Sequence, residues 1–446
     1  MTEQPPHTPT TAIRGRLLTF TELPRGAGDH TCYRYLEDAL LVIENGHIAA
    51  VGPADDLMVR LTPETPVTHY PDGLILPGFI DTHIHFPQTQ VIASYGAQLL
   101  EWLEKYTFVA EQKYGDPHHA ATCARFFIDE LLRNGTTTAV VYGSVHPQSI
   151  DAFFAESTRR GTAMIAGKVM MDRNAPAALI DTAESGYRDS VALIERWHGR
   201  KRQRYAVTPR FAITSSEAQL QAAGALLNDY PDVYLQTHLS ENLAEIAEVH
   251  RLFPWAKHYT DVYDRYGLLG PRSIFGHCLH LSESELQRLS ETASIAAFCP
   301  TSNLFIGSGL FDWAKLSDPR RPLRLSLATD VGGGTSYSLL QTMAEAYKVL
   351  QMQGQTLPAL TAFYQATRGN AEALGMADEI GCLEAGRMAD LIVLDAKATP
   401  AMRHRLAVVD GALEEELFIL MTLGDDRAVA ATYIQGKCLH QRGEAS

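Results

Sequence analysis

The ten residues Leu76–His85, LPGFIDTHIH, decide how the chain is interpreted. The run is short, apolar and interrupted by a Pro-Gly pair, which favours a buried strand over Phe79–His85 rather than a helix. Side chains of a strand alternate between its two faces, so His83 and His85 share one face. Two imidazoles on one face can bind one cation, although histidines at this spacing also occur as ordinary core residues.

Length and charge limit the classes of protein to which the chain can belong. Its 446 residues suit one large barrel-type domain with a smaller one, and 46% hydrophobic with 20% charged residues is typical of a globular enzyme. The net charge of −14 argues against a nucleic-acid or anionic-membrane partner. No segment approaches the roughly 18 apolar residues of a membrane span. The first residues also lack the apolar core of a signal peptide, so we expect a cytoplasmic protein.

Both ends of the chain have the pattern of strands joined by tight turns. Two apolar runs flank Asn45-Gly46, a strong hairpin signal, and residues 381–395 and 429–440 again predict strands. We therefore predict a small β-sandwich domain built from both termini. Its parts are residues 1–74 and residues 376–446, the latter with a terminal helix and strands.

The middle of the chain, residues 75–375, alternates short β-rich runs with longer helical ones. Eight strands alternating with helices predict an α/β fold with a parallel (β/α)8 TIM-type barrel. A doubly wound open sheet is the alternative, but no G-x-G-x-x-G follows the first strand. The eight predicted strands lie within residues 76–85, 136–143, 163–171, 205–211, 233–238, 273–278, 294–300 and 324–330. The main helices are predicted within residues 121–134, 215–230, 282–291 and 336–351.

Polar side chains stand at the C-terminal ends of five predicted strands, where barrel enzymes carry their chemistry. These side chains belong to His83, His85, Arg210, His238, His277 and Asp330. Three histidines and a carboxylate suit Zn²⁺ or Fe²⁺ and leave a position open for water. Less specific roles exist for two members of the group, because His277 could be a core residue and Asp330 could cap a turn.

The other histidines and the cysteines give no comparable pattern. The histidines at positions 118, 119, 146, 258, 280 and 440 match no strand end, so surface or structural roles are favoured for them. Six scattered cysteines contain no C-x-x-C pair and predict neither a disulfide framework nor a thiolate zinc site. The zinc deaminase class with an H-x-E and P-C-x-x-C signature is excluded, because the segment FCPTS supplies one cysteine only.

The chain resembles the amidohydrolase superfamily through PGFIDTHIH, THLSE, GHC and ATD, which occur in that order, and through GCLEAGRMADLIVLD. Five longer segments are similar to the branch of that superfamily that deaminates guanine: LLEWLEKYTFVAEQKY, NGTTTAVVYGSVHPQS, GKVMMDRNAP, TPRFAITSS and FCPTSNLFIGSGLFD. This resemblance implies hydrolytic deamination of a small purine at C2, and a homodimer. It also implies one zinc per chain, with Fe²⁺ as the alternative, held by His83, His85, His238 and Asp330.

The resemblance assigns further residues to the site. It implies that Glu241 moves protons, and it assigns the purine pocket to His85, Phe86, Pro87, Gln88, Arg210, Phe211, His238, Leu239, Ser240, Glu241 and Asp330. Binuclear members bridge two metals with a lysine on strand four, where this chain has Arg210, so one metal is favoured.

The same residues suggest a mechanism and leave alternatives. Asp330 would take a proton from zinc-activated water, His277 would hydrogen-bond the attacking oxygen, and Glu241 would protonate the ring. Arg210 would donate to a purine carbonyl. Glu241 could instead cap the following helix, and Arg210 could instead pair with a carboxylate of a neighbouring loop. An oxidised purine, cytosine or a triazine remains an alternative substrate, and a non-catalytic scaffold remains a third hypothesis.

Overall fold

The apolar run that precedes the paired histidines forms a strand with the predicted bounds. The computed structural model describes residues 10–96 and 98–443. In it Phe79–His85 is extended and every one of its residues is buried. Burial on both faces is what the parallel sheet of an α/β protein requires. The predicted strand is therefore confirmed.

The strands alternate with helices through the middle of the chain and cluster near both ends. In chain order the strands are β1 Thr11–Phe20, β2 Tyr33–Glu44, β3 His47–Pro53, β4 Val67–Pro77, β5 Phe79–His85, β6 Thr136–Tyr142, β7 Ala163–Gly167, β8 Val169–Met170, β9 Arg204–Pro209, β10 Tyr234–Leu239, β11 Ser273–His277, β12 Ile295–Phe298, β13 Arg324–Leu327, β14 Leu391–Leu394, β15 Val429–Ile434 and β16 Lys437–Gln441.

The helices of the middle region follow the strands as predicted. The α-helices are Ala54–Met58, Leu99–Trp102, Phe108–Glu111, Pro117–Arg133, Pro147–Arg160, Ala183–Trp197, Glu217–Asp229, Leu243–Leu252, Tyr259–Arg265, Glu283–Glu291, Pro300–Phe305, Trp313–Leu316, Leu339–Met352, Ala359–Tyr364, Asn370–Ala373, Pro400–Leu406 and Leu413–Leu423. Shorter 3₁₀ turns are Phe86–Val91, Gln112–Gly115, Ala177–Leu179, Ala212–Thr214 and Asp426–Ala428, and π-helical turns are Leu103–Thr107 and Gln365–Gly369.

The central strands form a nearly closed parallel barrel. Their order is β5-β6-β7-β9-β10-β11-β12-β13, with β8 paired to β9. The last segment returns to the first strand, because Asp330 N donates to His83 O over 2.9 Å and Thr329 N donates to the carboxylate of Asp81 over 3.1 Å. The predicted (β/α)8 architecture is confirmed, and its strand ends meet at one face.

Strands from both ends of the chain form a second sheet. Its order is β16-β15-β14-β4-β1-β2-β3, with β1 and β4 parallel and the other pairs antiparallel. The hairpin between β2 and β3 turns at Asn45 and Gly46, with φ angles of 51° and 80°. Such positive φ values suit Asn-Gly, as the sequence predicts. The small domain predicted from both termini is confirmed as this seven-stranded mixed sheet.

Contacts between Cα atoms divide the chain into two compact units. One unit holds the described residues of Met1–Ile80, Leu131–Thr137 and Pro358–Ser446, and the other holds Asp81–Glu130 and Thr138–Leu357. The finer boundaries at residues 74/75 and 375/376 stay predictions, and residues 1–9 and 444–446 lie outside the described part of the chain. Among the described residues, no helix combines the length and the apolar character that crossing a bilayer would need. None of the six cysteines, all of which lie in the described ranges, forms a disulfide bond.

Candidate active site

Four side chains predicted to bind a metal converge at the C-terminal face of the barrel. His83 and His85 come from the end of β5, His238 from β10, and Asp330 follows β13. Nε2 of His85 lies 3.3 Å from Nε2 of His238 and 3.2 Å from Oδ1 of Asp330. Nε2 of His83 lies 3.3 Å from the same Oδ1. Three nitrogens and one oxygen therefore surround one small volume.

The hydrogen bonding of these residues suits a cation. Within the described chain, both ring nitrogens of His83 and Nδ1 of His85 are buried without a hydrogen-bond partner. Nδ1 of His238 lies 2.7 Å from the carbonyl oxygen of Arg210, so this ring donates there and directs its Nε2 to the others. Burial lowers the pKa of His85 to about 3 and that of His238 well below its usual range. A neutral imidazole can bind a metal ion through an unused nitrogen, so these residues suit that role.

His277 closes the other side of this group. It ends β11 with a φ of 73°, which turns the residue out of the strand direction. Its Nδ1 lies 2.8 Å from Oδ1 of Asn303, a contact that fixes the ring. Its Nε2 lies 3.3 Å from Oε2 of Glu241 and 3.6 Å from Oδ2 of Asp330. His277 therefore lies with the other predicted site residues, as its position at a strand end predicts, and is not an isolated core residue.

Cys299 lies in the same group of side chains, although the sequence analysis did not identify it. Ligand atoms of His83, His277, Cys299 and Asp330 all lie within 4.8 Å of one another. Burial raises the pKa of the Cys299 thiol well above its usual range, so it stays protonated unless a metal takes it. Its position directly after β12 was the signal that could have identified it, since the other members also follow strand ends.

Glu241 lies in the turn after β10 and is buried. Oε1 accepts a hydrogen bond of 3.1 Å from Ser308 Oγ. Burial, with a further contribution from Asp330, raises the pKa of Glu241 to about 8. The alternative role of Glu241 as a helix cap is wrong. The helix Leu243–Leu252 is capped by Asn242, whose side chain accepts from the first turn while Glu245 accepts from the Asn242 backbone.

Beside this group lies a pocket whose walls are partly polar and partly apolar. The lining residues are His85, Gln88, Leu99, Trp102, Leu103, Arg210, Phe211, His238, Glu241, His277, Ile306, Asp330 and Gly333. Most of the predicted substrate-binding residues are among them. The apolar side chains come largely from the helical segment Leu99–Glu111, which contains the π-helical turn. Such turns are frequent at functional sites.

Four residues assigned to the pocket are not part of its lining within the described chain. They are Phe86, Pro87, Leu239 and Ser240. The ring of Phe86 packs against Tyr114, Phe127 and Phe153 with centroids 4.9–5.6 Å apart, so it belongs to an aromatic core cluster. A role of these four residues in substrate binding stays a prediction.

Arg210 forms an ion pair of the kind that the sequence analysis gave as an alternative to substrate binding. Its Nη1 lies 2.8 Å and 3.0 Å from the two carboxylate oxygens of Glu111, and both side chains are buried. Gln88 Nε2 donates to the same carboxylate over 3.2 Å. Arg210 nevertheless lines the pocket, so pairing and substrate contact are compatible. Glu111 was missed because nothing within its helical segment indicates a partner 99 positions away.

Lys168 and the histidines for which surface or structural roles were favoured lie outside the metal-binding group. Nζ of Lys168 is paired with Asp181 at 2.7 Å, so this lysine is unavailable as a metal bridge. Nε2 of His280 lies 2.9 Å from the carbonyl oxygen of Ser308, whose hydroxyl donates to Glu241. None of the histidines at positions 118, 119, 146, 258, 280 and 440 occurs in the metal-binding groups of the described chain.

A family model described as "Amidohydrolase family" matches residues 74–439. The chain belongs to the amidohydrolase family. Guanine deaminase of Escherichia coli (strain K12) is 48% identical over 434 residues, which cover 97% of this chain and 98% of that protein. The buried histidines and aspartate are the metal-binding group that this amidohydrolase holds at its barrel mouth.

The fold of this amidohydrolase is also similar to that of solved structures. The structure of E. coli guanine deaminase matches with a TM-score of 0.94 at 47% identity, covering 97% of this chain and 100% of that one. Guanine deaminase from C. acetobutylicum, with guanine bound in its active site, matches with a TM-score of 0.85 at 27% identity, covering 97% and 100%.

Proposed function

We propose that this amidohydrolase is a guanine deaminase, which hydrolyses the C2 amino group of guanine to give xanthine and ammonia. The observation that carries the proposal is one pocket lined by two unlike sets of side chains: members of the metal-binding group, and Arg210 with Gln88. The first set suits hydrolysis and the second suits a polar purine edge. The 48% identity to the guanine deaminase of E. coli supports the same activity.

His83, His85, His238 and Asp330 would hold the metal, which we propose to be one Zn²⁺ per chain, with Fe²⁺ as the alternative. The unpartnered nitrogens of His83 and His85 support this assignment. A divalent cation bound there lowers the pKa of water to about 7 and so supplies a nucleophile near neutral pH. Arg210 follows strand β9, where binuclear relatives need a lysine, which supports a single metal.

Three residues of the chain would handle protons and the developing charge. Asp330, with Oδ2 directed towards His277, would accept the proton of the attacking water. His277 Nε2 would hydrogen-bond the oxygen that is added to C2. Glu241 would deliver a proton to a ring nitrogen beside C2, then take the hydroxyl proton of the oxygen added to C2 and pass it to the departing amine. The proton accepted by Asp330 would restore the acid form of Glu241. Ser308 holds one oxygen of Glu241, which leaves Oε2 facing the reaction volume.

Arg210 and its neighbours in the pocket lining would select an oxo-purine. The guanidinium of Arg210 is a donor-only fork, so it can satisfy the carbonyl oxygen at guanine C6. Adenine would place an amino donor against it. Phe211 would pack on the ring, and Trp102 and Leu103 would exclude water from the other side. Buried polar groups left unpaired by adenine would disfavour that base.

Incubating the metal-loaded protein with a panel of bases tests the proposal. We expect ammonia and xanthine from guanine, little ammonia from adenine, and none from cytosine or aminated triazines. Faster ammonia release from one of these other bases than from guanine would show that this base is the preferred substrate. A protein that holds metal but releases no ammonia from any of them would contradict the enzymatic hypothesis.

We further propose a cytoplasmic homodimer, as the resemblance to the superfamily implies. Light scattering after gel filtration measures the mass directly. We expect twice the mass of one chain, and a single-chain mass would contradict the dimer.

A further inference from the structure

Glu111 is a buried carboxylate that joins the two polar residues of the pocket wall. It is fully buried, whereas Arg210 and Gln88 are each 2% exposed. Arg210 Nη1 reaches both of its oxygens, and Gln88 Nε2 reaches Oε1. The ring of Phe108 lies 5.5 Å from the Arg210 guanidinium carbon and covers it. Glu111 itself is absent from the pocket lining, so it acts through its two neighbours.

The carboxylate determines which way the amide of Gln88 points. An ionised carboxylate only accepts hydrogen bonds, so the amide must present its NH₂ group to Glu111. The acceptor Oε1 is then the amide atom left for a ligand. It lies beside Gly332, because a Cβ added to Gly332 would come within 1.9 Å of it. Without Glu111 the amide could turn by 180° and present a donor instead.

We propose that Glu111 is the positioning residue that sets the hydrogen-bonding pattern of the pocket. By holding Arg210 as a donor and Gln88 as an acceptor, it makes the wall complementary to a lactam edge, a ring carbonyl next to a ring N–H. Guanine carries this edge at C6 and N1, and adenine carries the opposite pattern. This inference rests on the proposed function and extends it to the whole class of 6-oxopurines.

Substitution of Glu111 by Leu should abolish this control, because leucine offers no acceptor to either neighbour. Glutamine is less decisive, since an amide oxygen at the Oε1 position could still accept from both Gln88 and Arg210. Without an acceptor at that position, Gln88 could turn its NH₂ group towards the ligand. The wall would then present two donors, so a ring N–H would be opposed while a bare ring nitrogen would be accepted.

Equilibrium binding of two unreactive ligands measures this change. Hypoxanthine has the lactam edge without a C2 amino group, and purine has an unprotonated N1 without a carbonyl. With metal-loaded protein and Trp102 fluorescence or calorimetry as the readout, wild type should bind hypoxanthine far more tightly. In Glu111→Leu the ratio of the purine Kd to the hypoxanthine Kd should fall at least about tenfold.

Two matched variants and two measurements complete the test. Glu104→Leu removes an exposed carboxylate from the same segment and should keep the wild-type ratio. Glu111→Asp, which remains an acceptor, should retain more of the ratio than Glu111→Leu. A folded, metal-loaded Glu111→Leu protein with an unchanged ratio, or with both ligands weakened equally, would overturn the proposal. If that variant does not fold, Gln88→Leu leaves the ion pair intact, and the same two outcomes decide. Failure of wild type to convert guanine would overturn the proposed function separately.

Discussion

Glu241 stands where a proton carrier would be needed. It is 3% exposed, it faces the His277 ring, and its outer oxygen is held by Ser308. Substitution by Gln retains the shape and the hydrogen bond but removes the transferable proton. We expect Glu241→Gln to bind metal normally and to lose about 10² or more in kcat, the usual scale for a general acid–base group. Steady-state kinetics with metal analysis measures both quantities.

The control for this variant is Glu248→Gln. Glu248 lies on the next helix and pairs with Arg251 at the surface, so its loss should leave kcat unchanged. Near wild-type kcat in Glu241→Gln would remove Glu241 from the mechanism. Loss of bound metal in that variant would instead assign it a structural role.

Arg210 combines two functions, and the choice of substituent separates them. Methionine would leave the buried Glu111 carboxylate without its ion-pair partner. Such a change typically lowers the free energy of unfolding by about 3–5 kcal/mol. Lysine keeps the charge but replaces the planar fork by a point donor. We expect Arg210→Lys to fold and bind metal, while kcat/KM for guanine falls by about 10².

The matched control is Arg196→Lys, which alters an exposed arginine paired with Asp151. It should leave kcat/KM unchanged. Unaltered guanine turnover in Arg210→Lys would mean that the arginine serves only its ion pair with Glu111.

The sequence predicted individual residues where each one carries a local signal. His83, His85, His238, His277 and Asp330 all stand at or just beyond strand ends, and the structure brings their side chains together. Glu111 and Ser308 contribute through contacts with residues distant in the chain. No spacing rule encodes such contacts, because they depend on how the barrel brings its loops together.

At the scale of elements, periodicity predicted the strands and the long helices. Eight apolar runs became the eight main barrel strands because each is buried on both faces, whereas the helices have one apolar face. The segment Leu99–Glu111 was recognised only as a stretch of resemblance. Its division into two short helices and a π-helical turn follows from packing over the pocket, which propensity does not encode.

The turn after β13, the last strand of the barrel, packs against the side chain of Gln88. Gly332 has a φ of +125°, and an added Cβ would lie 1.9 Å from Oε1 and 2.7 Å from Cβ of Gln88. Gly332→Ala should displace this amide and lower kcat/KM for guanine by about 10². Metal content should stay at the wild-type value, because the ligands do not depend on Gln88.

A second glycine supplies the control for this variant. Gly26 also has a large positive φ, +154°, but an added Cβ would meet nothing within 4 Å. Gly26→Ala also places alanine at a φ that favours glycine, and it should keep full activity. Equal losses of activity in both variants would attribute the effect to backbone strain rather than to Gln88.

At the scale of the whole barrel, the metal-binding group is held by hydrogen bonds that do not involve a metal. Asp81 accepts hydrogen bonds from the backbone of His83 and from both the backbone and the hydroxyl of Thr329. Asp330 N donates to His83 O, so the first and last segments remain joined. The ligands are therefore placed by the strands, and the fold should not depend on the cation.

Removal of the metal tests this arrangement. We expect chelator-treated protein to lose guanine turnover while its circular dichroism remains that of the folded barrel. Its Tm should fall, because bound metal stabilises the folded state by mass action and because His83 and His85 would be left with unused nitrogens. Added Zn²⁺ should restore both turnover and Tm at one ion per chain, as measured by elemental analysis. Full activity without metal, or recovery that requires two ions per chain, would contradict the single-metal site, whereas unfolding on chelation would show that the strands alone do not hold it.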